Sequence, residues 1–479
     1  MAATMENGHG QVNVHLIGIC GTAMATLAAL LQRRGHHVRG SDEGVYPPMD
    51  AFLEREEIPV LVGYKAEHIT SDLSLVVVGN AISRGNPELE EVLGRKIRHC
   101  SLPEAIREQF LWGARSIVIA GTHGKTTTAA LAGWLLTHAQ LDPTVLVGGI
   151  ALNFGDEGSS YRLGHGREFV IEGDEYDSAF FDKTAKFLKY LPDIALVNNI
   201  EFDHADIYAD LDAVRLAFRR LANLVPRNGL LLLGSDSPDA AALRGAAVSP
   251  VETFGLAEGA DWRGYDLEVA DGITRFKLQH GGAYVGTFQS PMLGQHNVRN
   301  AVGALAIGST VGALPGTLAE GLREFRGVKR RLEVVGRVNG VTVYDDFAHH
   351  PTAVAETIAA VRAGHPGRRV WAVFEPRSAS SCRRVFQDDF ARAFADADET
   401  VLARVYRSTL PEDQRLSVDQ LVTDLGGAGR QARHIDTIDA IIETIVREHH
   451  EGDVVLIMSN GGFGGIHRKL VGALQQVPR

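Results

Sequence analysis

Several things are scarce in this chain, and each scarcity removes a class of protein. Among 479 residues there are only three cysteines, Cys20, Cys100 and Cys382. They stand far apart, with none of the short spacings of a zinc site, and their odd number does not suit a disulfide framework. Long apolar runs are missing: none approaches the ~18–20 residues that cross a bilayer. Residues 1–10 hold no basic segment followed by an apolar one, so no secretory leader is expected there. A positive surplus is missing as well. Lys and Arg number 48 against 59 Asp and Glu, a net charge of −11, which argues against nucleic acid or an anionic membrane as partner. Reduced thiols without a leader fit the cytoplasm.

What is present is an ordinary globular composition, 45% hydrophobic and 22% charged. The length accommodates two to four domains. Its 52 glycines gather at the ends of apolar runs rather than in low-complexity tracts.

The stretch that organises the rest is Ser-Ile-Val-Ile-Ala-Gly-Thr-His-Gly-Lys-Thr-Thr-Thr at 116–128. Residues 117–120 read as a buried parallel strand, and the Ala- and Leu-rich residues after 128 read as a helix. Strand, glycine turn, lysine, hydroxyl and helix are the parts that cradle nucleotide phosphates. Backbone N–H groups of Gly121, Thr122, His123, Gly124 and Thr127 face the anion. Lys125 supplies charge and the Thr126 hydroxyl can ligate Mg²⁺. The strict Walker spacing needs a glycine at 119, where Ile119 stands, so the parts are kept while the formal pattern is not.

The N-terminal stretch predicts a strand over 12–17, a helix over 23–34 and a second strand over 38–42. Between the first two lies Gly18-Ile-Cys-Gly21-Thr22, and Asp42 ends the second strand after Ser41. A dinucleotide site would show Gly-x-Gly-x-x-Gly, whereas this is Gly-x-x-Gly, which suits a UDP-sugar diphosphate on the helix N-terminus better. Asn80 to Ser83 follow another strand, at the end where ligands bind open α/β sheets. The first boundary falls at 112.

In the middle region Glu172 ends a buried strand, where a Mg²⁺ ligand beside a P-loop belongs, with Asp174 and Glu175 competing for that role. His204, in Asp-His-Ala-Asp, can serve a second Mg²⁺ or position an incoming amine; an unremarkable loop histidine is the alternative. Asn300 shares a helix face with His296 and Asn297, where helix capping by Asn297 is the rival account. Residues 260–288 read as a small antiparallel hairpin region. A basic connector near 325–332 includes Arg330, a candidate for nucleotide phosphates. Beyond it a third α/β unit has strands at 341–344, 369–374, 399–403 and 454–458, and Asp346 after the first of them can meet ribose hydroxyls. The fold class is therefore α/β in three domains: a Rossmann-like unit over 1–112, a P-loop parallel sheet with a small antiparallel region over 113–325, and a Rossmann-like unit over 326–479.

Together these motifs resemble the Mur ligases, which use ATP to join amino acids or peptides to a UDP-muramic acid precursor of the bacterial wall. Gly124-Lys125-Thr126, Glu172, Asn199 to His204, His296-Asn297-Asn300, Arg330 and Asp346-His349-Pro351 follow the family's pattern in order, along nearly the whole chain. The resemblance implies ATP and Mg²⁺ as cofactors. It places Thr126, Glu172 and His204 at the metal and Lys125, Glu172 and His204 in catalysis, and adds His349 to the nucleotide site. Gly18, Gly21, Thr22, Ser41, Asp42, Asn80 and Ser83 would meet UDP-N-acetylmuramate. Within the family, residues 18–22, 45–49, 83–87, 374–378 and 458–463 look like the branch that adds the ready-made tripeptide L-alanyl-γ-D-glutamyl-meso-diaminopimelate, with Arg377, Ser378, Ser459, Asn460 and Gly461 meeting the peptide. The sister branch adds L-alanine, and a P-loop kinase is the alternative from another class. Ala379-Ser380 and Gly464 stand where the tripeptide branch has Asn-Thr and Asp. No lysine occurs between His204 and Pro226, so the carboxylated lysine of some relatives has no counterpart. The expected partners are the two small-molecule substrates, and the expected assembly is a monomer or a weak homodimer.

Overall fold

The computed structural model describes residues 11–45, 49–406 and 410–476. Residues 1–10, read above for a leader, and residues 46–48, part of one family motif, lie outside the described residues. Strand and helix patterns alternate and build three large sheets, beside a two-stranded ribbon of Asp177–Ala179 and Asp182–Ala185, so the chain is α/β throughout.

The first sheet has five parallel strands in the order Val60–Val62, His37–Asp42, Asn13–Ile17, Leu75–Val78, His99–Ser101. Leu75–Val78 is Leu-Val-Val-Val and buried at every residue, as a strand covered on both faces should be. Strand order reverses between Asn13–Ile17 and Leu75–Val78, which opens a crevice at their carboxyl ends. The helix Thr22–Arg33 starts at that crevice and buries Met24 to Leu31 against the sheet.

The second sheet has ten strands. Its parallel part runs Val251–Gly255, Leu230–Gly234, Ile194–Val197, Arg115–Ala120, Glu168–Gly173, Thr144–Ala151. Arg115–Ala120 is central, so the glycine loop that follows it lies between the loop after Val197 and the acidic segment beginning at Glu172. The expected hairpin region is larger than its sequence suggested. Trp262–Ala270, Ile273–His280 and Ala283–Ser290 form a three-stranded meander continuous with the main sheet. Its turns, Asp271-Gly272 and Gly281-Gly282, put both residues at positive φ, the backbone of tight two-residue hairpins.

The third sheet runs Glu333–Val338, Val341–Asp346, Val454–Met458, Val370–Phe374, Glu399–Leu402, Gln431–His434, with only the first strand antiparallel. Alternate residues feed opposite faces. Phe374 joins Phe390 and Phe394 on one side, while Trp371 and Val373 join Ile457 and Phe463 on the other. The three units touch: Thr26 and Ser160 hydroxyls are 2.6 Å apart, and Phe202 packs on the Phe386 ring. Among the described residues no helix is long and apolar enough to cross a membrane.

Candidate active site

The loop Gly121 to Gly124 has the backbone that cradles anions. Gly121 and Gly124 have φ of 132° and 82°, values that favour glycine. A side chain at Gly124 would also collide with Asn198 and Asn300. The neighbouring strand end fixes the loop: Asn199 Oδ1 accepts from His123 N at 2.7 Å, and Asn198 Nδ2 donates to His123 O at 3.2 Å. The helix Lys125–His138 then begins with its free N–H groups turned to a cavity of about 450 Å³.

Lys125 closes back over the loop. Its Nζ donates to Gly121 O at 2.7 Å and stands 2.8 Å from Glu175 Oε2. Burial lowers the lysine pKa, but Glu175, Asp174 and Glu172 together outweigh it, and the ammonium is held above its ordinary value. Glu175 is buried and also meets His204 Nε2 at 3.0 Å. Burial lowers His204 too; the bond to Glu175 and the charge of Asp203 reverse the sign and raise it. One buried carboxylate thus joins two residues that the sequence assigned to separate tasks.

Thr126 Oγ1 donates to Glu172 Oε1 at 2.9 Å, and Glu172 Oε2 accepts from Gly148 N at 2.6 Å. The structure brings these two predicted metal residues together. Hydroxyl and carboxylate oxygens are the donors a magnesium ion takes, so this pair fits the ion. His204 stands with Glu175 instead. Asp174, the other competitor, is committed to Lys186 at 2.6 Å; burial opposes its ionisation, but the lysines hold its pKa at about 2.

The far wall of the cavity comes from the third unit and from the helix Gln295–Thr310. Asn300, Asp346 and His349 line it. Asp346 accepts from Leu332 N and Ala348 N at 2.7 and 2.8 Å, which shapes the loop, while burial raises its pKa. His349 bonds Phe347 O through Nδ1 at 2.9 Å, and burial lowers it. Arg330 does not reach the cavity. It has φ of +60° and turns to Asp345 at 3.2 Å and the carbonyls of Ser459 and Gly461 at 2.5 and 2.7 Å. Its neighbour Arg331 lines the cavity, reaching Thr126 Oγ1 at 3.4 Å with its guanidinium 4.8 Å from the Phe347 ring. His296 lines it too; burial, then Arg299 and Arg331, lower its pKa to about 3.

In the first unit Gly18 has φ of +84°, and its N–H donates to Ser41 O at 2.9 Å. Gly21 caps the helix that Thr22 begins, and Thr22 is exposed. Asp42 secures this loop by accepting from Cys20 N at 2.9 Å and Gly44 N at 3.0 Å. Asn80 Nδ2 reaches Asp177 O at 3.2 Å, and Ser83 is exposed nearby in sequence. Ser41 departs from expectation. Its hydroxyl is fully buried and donates to Glu88 at 2.5 Å, facing inward rather than toward a ligand.

The predicted peptide residues divide. Arg377 lies over the Tyr406 ring at 3.7 Å and stands 3.7 Å from Glu375, leaving part of its guanidinium exposed. Glu375 also accepts from Ser459 Oγ at 2.6 Å, which ties the two loops together. Ser378 is spent on Ser381 at 2.8 Å and Ser459 is buried, so both shape backbone. Gly461 packs directly on the Arg377 side chain, which an added Cβ would force to move, and Asn460 keeps a buried Oδ1 without a hydrogen-bond partner among the described residues. Ser380, one of the departures from the family pattern, accepts from His204 N at 3.0 Å across the two units.

Three family descriptions match in succession: "Mur ligase family, catalytic domain" over residues 13–110, "Mur ligase middle domain" over 119–308, and "Mur ligase, glutamate ligase domain" over 330–461. A UDP-N-acetylmuramate--L-alanyl-gamma-D-glutamyl-meso-2,6-diaminoheptandioate ligase of Escherichia coli (strain K12) is 39% identical, over 97% of this chain and 98% of its own. A crystal structure of a murein peptide ligase from Psychrobacter arcticus 273-4 superposes with a TM-score of 0.71 at 34% identity, covering 98% of this chain and all of that one. A UDP-N-acetylmuramate--L-alanine ligase of Salinibacter ruber is 37% identical over 94% of this chain and 92% of its own.

Proposed function

The chain belongs to the Mur ligase family, and from that premise we propose that it joins L-alanyl-γ-D-glutamyl-meso-diaminopimelate to UDP-N-acetylmuramate at the expense of ATP. The observation that carries this reading is the convergence on one cavity of Lys125, the Thr126–Glu172 pair and the Asp346–His349 loop from the third unit. The similarity to the tripeptide ligases over whole chains supports the choice of substrates. Residues 1–112 then hold UDP-N-acetylmuramate, 113–325 hold ATP and 326–479 hold the peptide.

Phosphoryl transfer asks for positioning and charge neutralisation more than for covalent chemistry by the protein. Lys125 exchanges Glu175 for the phosphates and follows the charge as it develops. Thr126 and Glu172 would hold Mg²⁺, which neutralises charge on the β- and γ-phosphates when bound. Arg331 approaches from the third unit to a position beside Thr126. The γ-phosphoryl group of ATP passes to the lactyl carboxylate of UDP-N-acetylmuramate, giving an acyl phosphate and ADP. Its carbonyl carbon then takes the tripeptide α-amine, which gives up a proton, and the tetrahedral adduct expels phosphate. His204, released from Glu175, then stands where it can serve a second Mg²⁺ or orient the amine.

The experiment is ADP release with each component omitted in turn. Release should require both UDP-N-acetylmuramate and the tripeptide. Efficient use of L-alanine, with the tripeptide inert, would move the chain to the amino-acid-adding branch, and sustained multiple-turnover ADP release with neither UDP-N-acetylmuramate nor any amine would remove the ligase reading.

A further inference from the structure

We propose that His123, Glu201 and His350 form a site for one divalent transition-metal ion of the zinc type, which ties the glycine loop to the third unit. The three residues come from separate elements. His123 lies in the glycine loop, Glu201 in the loop after the strand Ile194–Val197, and His350 caps the helix Pro351–Gly364. Their donor atoms all fall within 4.8 Å of one another. Glu201 Oε2 is 3.3 Å from His123 Nε2 and 3.5 Å from His350 Nδ1. Ligands ~2.0–2.2 Å from zinc in a tetrahedron stand about 3.3–3.6 Å apart, so two edges already have the right length.

The orientation of His350 is the second observation. Its Nε2 lies 3.1 Å from the carbonyl oxygen of Phe202, which can only accept. That nitrogen therefore carries the hydrogen, and in the neutral ring, as the N–H of Thr352 directed at Nδ1 requires, Nδ1 presents a lone pair. Apart from a long bond from Thr352 N at 3.4 Å, the lone pair faces the Glu201 carboxylate, acceptor against acceptor. A cation between them removes the repulsion. Ion pairing between His123 and Glu201 alone leaves it in place.

The surrounding groups are those that orient metal ligands. The Phe202 carbonyl holds the far nitrogen of His350, and Thr352 Oγ1 donates to Glu201 Oε2 at 2.6 Å. Two imidazoles and one carboxylate select zinc-like ions, while magnesium prefers all-oxygen surroundings. Donor set and residues both differ from the Thr126–Glu172 pair. Three protein ligands leave a fourth position for water. Because the ligands span two units, a bound ion should hold those units together.

The test is titration of full-length, metal-free protein with zinc against a chromophoric chelator, without nucleotide. One zinc should bind per chain, and excess magnesium should not displace it. Glu201→Gln and His350→Gln should each weaken it at least ~100-fold, at or beyond the upper end of what loss of an outer partner costs. Glu172→Gln should retain it. X-ray absorption of the wild-type zinc complex should report two imidazoles, and this stands even where a variant fails to fold. Three results would overturn the proposal: no stoichiometric zinc, zinc lost in Glu172→Gln but kept in His350→Gln, or a spectrum without two imidazoles. None of these measurements depends on ligase activity.

Discussion

Two buried carboxylates, Glu88 in the first unit and Glu175 in the second, do opposite jobs with the same chemistry. Glu88 is fully buried and accepts from Ser41 Oγ at 2.5 Å, His68 Nδ1 at 2.6 Å, His15 Nε2 at 3.0 Å and Lys65 N at 3.3 Å. Those partners come from strands and loops across the first sheet, and His15 and Ser41 are themselves sealed from solvent. Glu175 is nearly as buried, yet its partners are Lys125 and His204, beside the cavity at the glycine loop. Partners locked inside a fold make a carboxylate structural. Partners that, on the mechanism proposed above, must be surrendered to a substrate make it a holder of function, keeping Lys125 placed until phosphate arrives.

The comparison breaks most sharply at Glu88. Removing one member of a buried ionic network typically costs ~3–5 kcal/mol, because the remaining polar groups are left without partners. Glu88→Ala should lose stability on that scale in denaturant unfolding. Acid should act in the same direction. Burial raises the Glu88 pKa, but the bonds from His15, Ser41 and His68 outweigh it and hold it below the usual carboxylate range. A depressed folded-state pKa stabilises above the unfolded value and loses that stability as pH falls through the folded one. The wild-type protein should therefore lose stability in acid more steeply than Glu88→Gln. Equal acid profiles would show that the network carries no such linkage.

At the other carboxylate the expected loss is in rate. Lys125→Ala removes one preorganised donor from a developing charge, which usually costs ~10²–10³ in turnover. Its effect on unfolding should be smaller than that of Glu88→Ala, since His204 remains as a hydrogen-bond partner for Glu175. Steady-state ADP release and a melting curve on the same preparation separate the two effects. Near-normal ligation by a folded variant would sink the role given to Lys125.

This contrast also marks what could be read from sequence. The glycine loop and its lysine were legible because local pattern alone positions them: strand end, turn, helix start. Glu172 stands 46 residues beyond Thr126, but as an acid near the end of a buried strand it carried its own signal, which Glu88, inside a helix, did not. The inward turn of Ser41 was not legible, since Glu88 comes from 47 residues further along the chain. Arg330 and Arg331 could not be told apart by spacing. A single residue at positive φ sends the two side chains in different directions, one to the third sheet and the other to the cavity. The strand Glu333–Val338 was missed although its signal was present. Asn339-Gly340, with φ of 49° and 79°, is the tight-hairpin pair that joins it to Val341–Asp346.

The smallest expected effect concerns Arg377, where structure tempers the sequence reading. From sequence alone it is a carboxylate clamp for the peptide, and truncating a buried clamp costs ~2–5 kcal/mol. In the fold its guanidinium is partly exposed, lies 3.7 Å from the Tyr406 ring centre and only approaches Glu375. A stacked, half-solvated guanidinium contributes less, ~0.5–2 kcal/mol for its cation–π contact. Among the described residues no hydrogen bond engages its N–H donors, which lie in a fixed plane, the geometry that takes a carboxylate with two parallel bonds. L-Alanine lacks the D-glutamyl and diaminopimelyl carboxylates that would reach such a group. Arg377→Ala should therefore lower kcat/KM for the tripeptide by about tenfold, ~1.4 kcal/mol, mostly through KM, and leave any slow use of L-alanine unchanged. Arg377→Lys should recover only part of the loss, because an ammonium cannot donate the paired bonds. An equal loss for both amines would make Arg377 a support for the Ser459–Gly461 loop rather than a reader of the peptide.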